Sequence, residues 1–428
     1  MIACLIAAYS CGRTSVGRAL AWCRNRIELL RKYMKLEGGI ASEATISRIL
    51  SGIDEQMFAL VLAEWVAEIL YEHGIHIIID GKALCGATEK IKGGKVPYVL
   101  NAIESATQMV IAQLAIPDKT NEIAAIPQLL QQLNIRGNTF TIDAIGTNKS
   151  IMEIILGNGG HLALQVKKNN PALYEEIVSA FDTFEQQINL PEEKRKKRLM
   201  PYLEKYDVVS SQEKNRERIE YRKMQICQNP DFLSKSSTSA YKDLLPLLGT
   251  VGCSTQVRVP IEKDAEGNDI TVSKAEFLER GSNRKPRPLQ GDGIGDDYQS
   301  VGMISDMILC AKEMARLKRD HWKIESGLHH VLDDVFREDR STATSSKFNL
   351  SVIRKFAYNI LRLAILKEFS DKSPTLMMDY FCDHPETLAR YIFCEIESLY
   401  LKKTGRIVMG YFALFCRQPR SLMVFTNY

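Results

Sequence analysis

Three acidic side chains stand where oxygen-ligand chemistry could be done. Asp80 follows the apolar run His76-Ile77-Ile78-Ile79, Asp143 follows Thr139-Phe140-Thr141-Ile142, and Glu325 closes Arg319-Asp320-His321-Trp322-Lys323-Ile324. Three carboxylates brought together repel strongly unless cations neutralise them. Oxygen-only ligation selects Mg²⁺ or Mn²⁺, and the ten cysteines form no C-x-x-C pair suited to zinc. Two such ions roughly 3.5–4 Å apart would activate an attacking water or 3′-hydroxyl and stabilise the leaving oxygen of a phosphodiester. Taken singly, each acid also has an ordinary structural reading. Asp80 opens an Asp-Gly turn, Asp143 caps a strand end before a helix, and Glu325 makes an i, i+4 contact along a helix.

The elements that would have to position these acids can be read from periodicity. At about 100° per residue, Ile324, Leu328, Val331 and Val335 share one helical stripe, with His321, Glu325 and His329 along its border. Short strands are predicted at His76 to Asp80, stopped by Gly81, at Val96 to Ile103 and at Met109 to Ile116, as antiparallel neighbours. A helix from Asn121 to Leu133, a strand from Thr139 to Asp143, a helix from Asn148 to Leu156 and a strand from His161 to Val166 follow. The order β-β-β-α-β-α-β is that of a ribonuclease H-like core, in which the first and fourth strands are neighbours and carry Asp80 and Asp143 to one cleft. The fold class is therefore α/β: a ribonuclease H-like mixed sheet core with a β-rich insertion and an N-terminal helical region.

Five regions are expected: helices over 1–72, a first core part over 73–171, a helix, charged linker and β-rich insertion over 172–315, a second core part with Glu325 over 316–369, and a tail of unknown role over 370–428. Helices are predicted at Val16 to Leu36, Glu55 to Tyr71, Pro171 to Phe184 and Leu350 to Glu368. Insertion strands are predicted at Ile219 to Ile226, Leu248 to Val259 and Ile270 to Val272, among polar loops such as Gly281 to Asp297. A short helix near Ser42 permits a helix-turn-helix reading; a small packing helix is the equal alternative.

At 428 residues, 45% hydrophobic and 25% charged, the chain has the composition of a water-soluble globular protein. Its formal net charge of +4 does not by itself indicate nucleic acid, but basic residues gather at Lys194 to Arg198, Lys214 to Lys223, Arg280 to Arg287 and Arg316 to Lys323. Solvated charged faces are the competing reading, favoured for Lys194 to Arg198 beside Glu192 and Glu193. Scattered cysteines fit a reducing cytoplasm. No apolar stretch is long enough for a membrane span, and no G-x-G-x-x-G or phosphate loop follows a strand.

The segments IIIDGKALCGA, IPDKTNEIAAIPQLL, FTIDAIG, QVKKNNPALYEEI, ERIEYR and HWKIESGLHHVLDDVFRED resemble, in order, those of DDE-type insertion-sequence transposases, in the branch that includes the H-repeat-associated proteins. The likeness covers about residues 12 to 366. It implies a Mg²⁺-dependent enzyme, with Mn²⁺ as substitute, that cleaves at its element's ends and joins the freed 3′-hydroxyl to target DNA. The family's acids fall on Asp80, Asp143 and Glu325, as catalytic residues and metal ligands. Its partners would be double-stranded DNA, as terminal inverted repeats and target, and a second copy of the chain in the DNA complex.

Softer roles follow by position. Arg319, Trp322 and Ile324 match the basic-aromatic approach to the family's Glu; Arg319, His321 and Trp322 are expected at DNA, with Arg319 and His321 touching phosphates or alternatively orienting the Glu. Lys119, Asn121 and Glu122 match a run at the first core helix, where capping competes as an explanation. Lys167, Lys168 and Asn169 follow the fifth strand, where phosphate contact and turn formation at Asn169-Asn170-Pro171 are alternatives. The chain departs from the pattern in three places. Related transposases have a longer N-terminus, wider DDE groups carry a Lys where this chain has Leu332, and the tail from about residue 370 has no counterpart. These departures keep two further readings open: a catalytically inactive DNA-binding remnant, and a metal-dependent nuclease without strand transfer.

Overall fold

The computed structural model describes residues 1–70, 73–84, 96–215, 218–233, 243–263, 269–271, 298–341, 343 and 345–393. The Arg280 to Arg287 cluster, the Gly281 to Asp297 loop, Val272 and the end of the tail fall outside them. The chain forms two compact units. The first comprises 1–140, 158–160 and 321 onward; the second comprises 141–157 and 161–320.

The first unit begins with α1 (Ile2–Ser10), α2 (Val16–Asn25), α3 (Ile27–Arg31), α4 (Glu43–Ser51) and α5 (Glu55–Ala67). Ser42 and Asp54 cap α4 and α5 by accepting from Thr45 N at 3.2 Å and Met57 N at 2.8 Å. The single helix expected from Val16 to Leu36 is broken. Arg26 leaves helical geometry, lies 5.0 Å over the Trp22 ring and donates to the Cys382 carbonyl, a tertiary contact that local periodicity cannot anticipate.

Three strands follow, β1 (His76–Ala83), β2 (Tyr98–Glu104) and β3 (Val110–Ile116), antiparallel as predicted. Gly81 does not stop β1. The strand continues through it, Asp80 pairs with Asn101 and Lys82 with Val99, so the Asp-Gly turn reading is overturned. Glycine is required there for space: a Cβ on Gly81 would lie 2.2 Å from the Tyr98 ring and 2.7 Å from Glu122 Oε1. α6 (Glu122–Leu130) covers β2 and β3, and β4 (Thr139–Ile142) starts beside β1, where Thr139 N–H donates to the Ile75 carbonyl at 2.9 Å.

The chain passes into the second unit within β4. There α7 (Lys149–Gly157) packs on β5 (His161–Val166), and α8 (Pro171–Ile188) leads through exposed 3₁₀ turns containing Lys194 to Arg198 to the short α9 (Met200–Leu203). The insertion is a sheet of β6 (Tyr206–Asn215), β7 (Arg218–Gln228), β8 (Thr250–Lys263), β9 (Asp269–Thr271) and β10 (Tyr298–Ser305). The order β5-β10-β8-β7-β6 makes it continuous with β5. Neither β6 nor β10 was anticipated. α10 (Ala311–His321) buries Met314 and Leu317 with Met224, Ile226, Ala163 and Met303.

The chain re-enters the first unit at His321. Two π-helical stretches, Ile324–His329 and Val331–Val335, replace the expected α-helix. α11 (Lys347–Lys367), buried nearly throughout, lies against α1, α5 and β3. α12 (Pro374–Asp383) and α13 (Pro385–Phe393) place the first part of the tail on α11 and α1.

Candidate active site

In the first unit, Asp80 points from β1 with its side chain 20% exposed, and its Oδ2 lies 3.7 Å from His329 Nδ1. Asn101, its cross-strand neighbour, donates from Nδ2 toward His329 Nε2 at 3.4 Å. Burial, reinforced by the Lys82 and Lys355 cations, pushes His329 down to about 3, so the imidazole is neutral at ordinary pH.

Glu325 lies exposed on the first π-helical stretch. The buried stripe is Ile324, Leu328, Leu332 and Phe336, each 0% exposed, rather than one continuing through Val331 and Val335. Wider turns explain the change: a strict 100° step would carry Leu332 and Phe336 away from Ile324, whereas π geometry, with i→i−5 bonds such as Phe336 N to Val331 O at 3.1 Å, returns every fourth residue to the sheet. Leu332 is thus a core side chain.

In the second unit, Asp143 follows β4 and makes no side-chain capping bond, so the cap reading fails. Its Oδ1 accepts from Lys167 Nζ at 2.7 Å. The loop carrying it is braced: Asn169 Nδ2 donates to the Ala144 carbonyl at 2.9 Å, Asn170 Nδ2 to the Thr147 carbonyl at 3.1 Å, and Thr147 Oγ1 to the Gln165 carbonyl at 2.7 Å. Gly146 permits the tight turn, since a Cβ would lie 2.5 Å from Ile142 Cβ.

The residues expected at DNA divide. Lys119, Lys168 and Trp322 are exposed. Arg319 pairs with Glu213 at 2.9 Å and Lys167 with Asp143. His321 is 5% exposed, so it is not presented to a phosphate, a correction that follows from its place at the buried end of α10. Asn121 Nδ2 donates to Asp118 at 3.1 Å, and Glu122 is buried beside Gly81, which favours the structural reading of that run.

Asp80, Asp143 and Glu325 present only carboxylate oxygens, the donor type that suits a hard divalent cation. Among the described residues, no group of three His, Cys, Asp or Glu side chains is gathered to hold a metal ion. No helix among them is long and apolar enough to cross a membrane.

Sequence reasoning passed over Lys82 and Asn101, and set His329 beside Glu325 rather than beside Asp80. Their signal is relational: Asp80 and Lys82 alternate onto one face of β1, and only the register reveals Asn101 opposite.

Comparison with known proteins bears on the family. The chain is 30% identical over 342 residues to "Putative transposase YncI" of Escherichia coli O157:H7, covering 79% of this chain and 75% of that protein. It is 28% identical over 338 residues to "H repeat-associated putative transposase YhhI" of Escherichia coli strain K12, covering 78% and 77%. Among solved structures, a piggyBac transposase synaptic complex with hairpin DNA aligns with 82% of this chain and 56% of that one. At a TM-score of 0.34 and 9% identity, that likeness carries no inference. Residues 1–66 match the DDE_Tnp_1-associated model and residues 72–360 the model described as transposase DDE domain. With that second match spanning most of its length and including all three acids, the chain belongs to the family of DDE-domain transposases.

Proposed function

We propose that the protein is a DNA transposase that cleaves at the ends of an insertion sequence and transfers the freed 3′ ends to target DNA. The observation that carries this reading is the family match over 72–360, which contains Asp80, Asp143 and Glu325 in chain order. These three acids would hold Mg²⁺, or Mn²⁺ in its place; when bound, the ions supply Lewis-acid activation of the attacking water or 3′-hydroxyl and stabilise the leaving oxygen.

The chain's own groups prepare the acids. Neutral His329, 3.7 Å from Asp80, packs beside that carboxylate without adding a competing positive charge. Lys167 compensates Asp143 until a cation replaces it, and the Asn169 and Asn170 braces hold the Asp143 loop in place. Exposed Lys119, Lys168 and Trp322 are assigned to the DNA backbone, where phosphate contacts fix register without reading sequence. Double-stranded terminal inverted repeats and target DNA are the proposed partners, with two copies of the chain pairing the ends.

Cleavage of DNA carrying the repeats that flank the gene tests the reading. Asp80→Asn, Asp143→Asn and Glu325→Gln should each abolish Mg²⁺-dependent cleavage and joining while leaving DNA binding intact. Full cleavage by any one would overturn the assignment. A wild-type chain that cuts without joining would instead be a nuclease, and one that binds without cutting in Mn²⁺ a DNA-binding remnant.

A further inference from the structure

The segment carrying Glu325 has two ways to bury itself. In α geometry Ile324, Leu328, Val331 and Val335 fall within about 60° of one another, a complete apolar stripe. In the structure the wider π turns bury Ile324, Leu328, Leu332 and Phe336 instead. π turns are rare and intrinsically less favourable, so contacts outside the segment must select this register.

Those contacts come from the sheet that bears Asp80. Lys323 Nζ donates to the Ser105 carbonyl at 3.3 Å in the β2–β3 turn. Gly327 approaches the same turn so closely that a Cβ would lie 2.6 Å from Gln108 Oε1. At the far end Lys82, on the same face of β1 as Asp80 and 6% exposed, donates to Asp333 Oδ1 at 2.5 Å and lies 3.4 Å from Asp339 Oδ1. Behind this pair the buried Glu338 lies 3.6 Å from Arg354 of α11. In the α register, removing the extra residue of the wide turns would rotate Asp333 by about 100° and take it off Lys82.

We propose that Lys82 is a positioning residue: clamped between Asp333 and Asp339, it locks the π register of the segment and thereby sets the spacing of Glu325 from Asp80 on which divalent-cation binding depends. This inference rests on reading Asp80 and Glu325 as cation ligands. An intact fold with a misplaced ligand is the expected consequence of losing the clamp, by analogy with outer-shell groups whose removal costs about 10–100-fold in metal affinity.

The test uses the full chain and Mn²⁺ as probe, with binding followed by electron paramagnetic resonance. Lys82→Met should keep wild-type DNA binding, weaken Mn²⁺ binding at least about tenfold and speed amide hydrogen exchange across residues 324–336. The charge-swapped pair Lys82→Asp with Asp333→Lys should recover part of both. If Lys82→Met fails to fold, Asp333→Asn at the partly exposed end of the pair carries the same expectations. Unchanged Mn²⁺ binding and exchange in the folded variant would overturn the clamp. Asp80→Asn measured alongside separates the two levels: if it leaves Mn²⁺ binding intact, the ligand reading itself has failed, whatever Lys82 does.

Discussion

Alanine at Gly81 should destabilise the protein, and for a reason that separates two readings of the Asp-Gly pair. Gly81 is a strand residue without the positive φ that glycine adopts at Gly12, Gly39 or Gly74. Its backbone therefore suits alanine, and lower unfolded-state entropy would favour the substitution by about 0.4–1 kcal/mol. Against this stands a Cβ 2.2 Å from Cε1 of Tyr98, a ring only 8% exposed and fixed within β2. Overpacking of this kind costs about 1–3 kcal/mol, so the net expectation is a loss of about 1–2 kcal/mol. Urea unfolding should show a lower midpoint with an unchanged slope. In a Tyr98→Leu background the same alanine should cost less, because the obstructing ring atoms are gone while the buried Glu122 Oε1, 2.7 Å from the added Cβ, remains. Gly38, where an added Cβ would meet nothing within 4 Å, is the control and should tolerate alanine without loss. A Gly81→Ala midpoint at or above wild type, or a loss undiminished in the Tyr98→Leu background, would refute the packing argument; an undiminished loss is the behaviour of a strained turn glycine.

Three further outcomes follow from particular contacts. Leu332→Ala should cost about 2–5 kcal/mol and Val331→Ala much less, since Leu332 is 0% exposed and Val331 only partly buried; the reverse ranking in denaturant melts would favour an α register. Lys355, buried on α11, is pushed down to about 8 from 10.5 chiefly by desolvation. Between those two values the unfolded chain binds more protons, so this group's contribution to stability is full above about pH 10.5 and is lost as pH falls to about 8. Lys355→Met should flatten that slope in pH-dependent melting. Asn169→Ala, removing a 2.9 Å bond to the Ala144 carbonyl, should lower stability by about 1 kcal/mol and reduce cleavage with DNA binding unchanged, as measured by melting and gel assays.

The parts of the fold legible in the sequence are those whose burial repeats at a short, regular interval. β1 to β5 and α4 to α8 emerged near their predicted positions because apolar runs and capping residues such as Ser42 and Asp54 mark them locally. β6 and β10 lacked such a mark: Tyr206–Asn215 is mostly polar, and its strand character comes from pairing with β7. The Glu325 segment misled because its sequence supports two stripes, and the choice is made by Lys82, Gly327 and Lys323 against a distant sheet. At the candidate site, the acids were legible as types in context. Their protein partners were not, because Lys82 is 251 residues from Asp333 and Asn101 is 228 from His329.

The way the chain enters and leaves its first unit also orders the protein's synthesis. Residues 161–320 are made as an uninterrupted run, so the second unit is complete in sequence before α11 of the first is made. The first unit has to wait. α1, with Ala3 to Ser10 all buried in the finished protein, rests on α11, whose first residue is Lys347. At about 5–20 residues per second, its apolar surface stays uncovered for roughly 20–70 seconds of translation. The N-terminal helices are thus the segment expected to stay exposed to aggregation, and to holding chaperones, until α11 has been made.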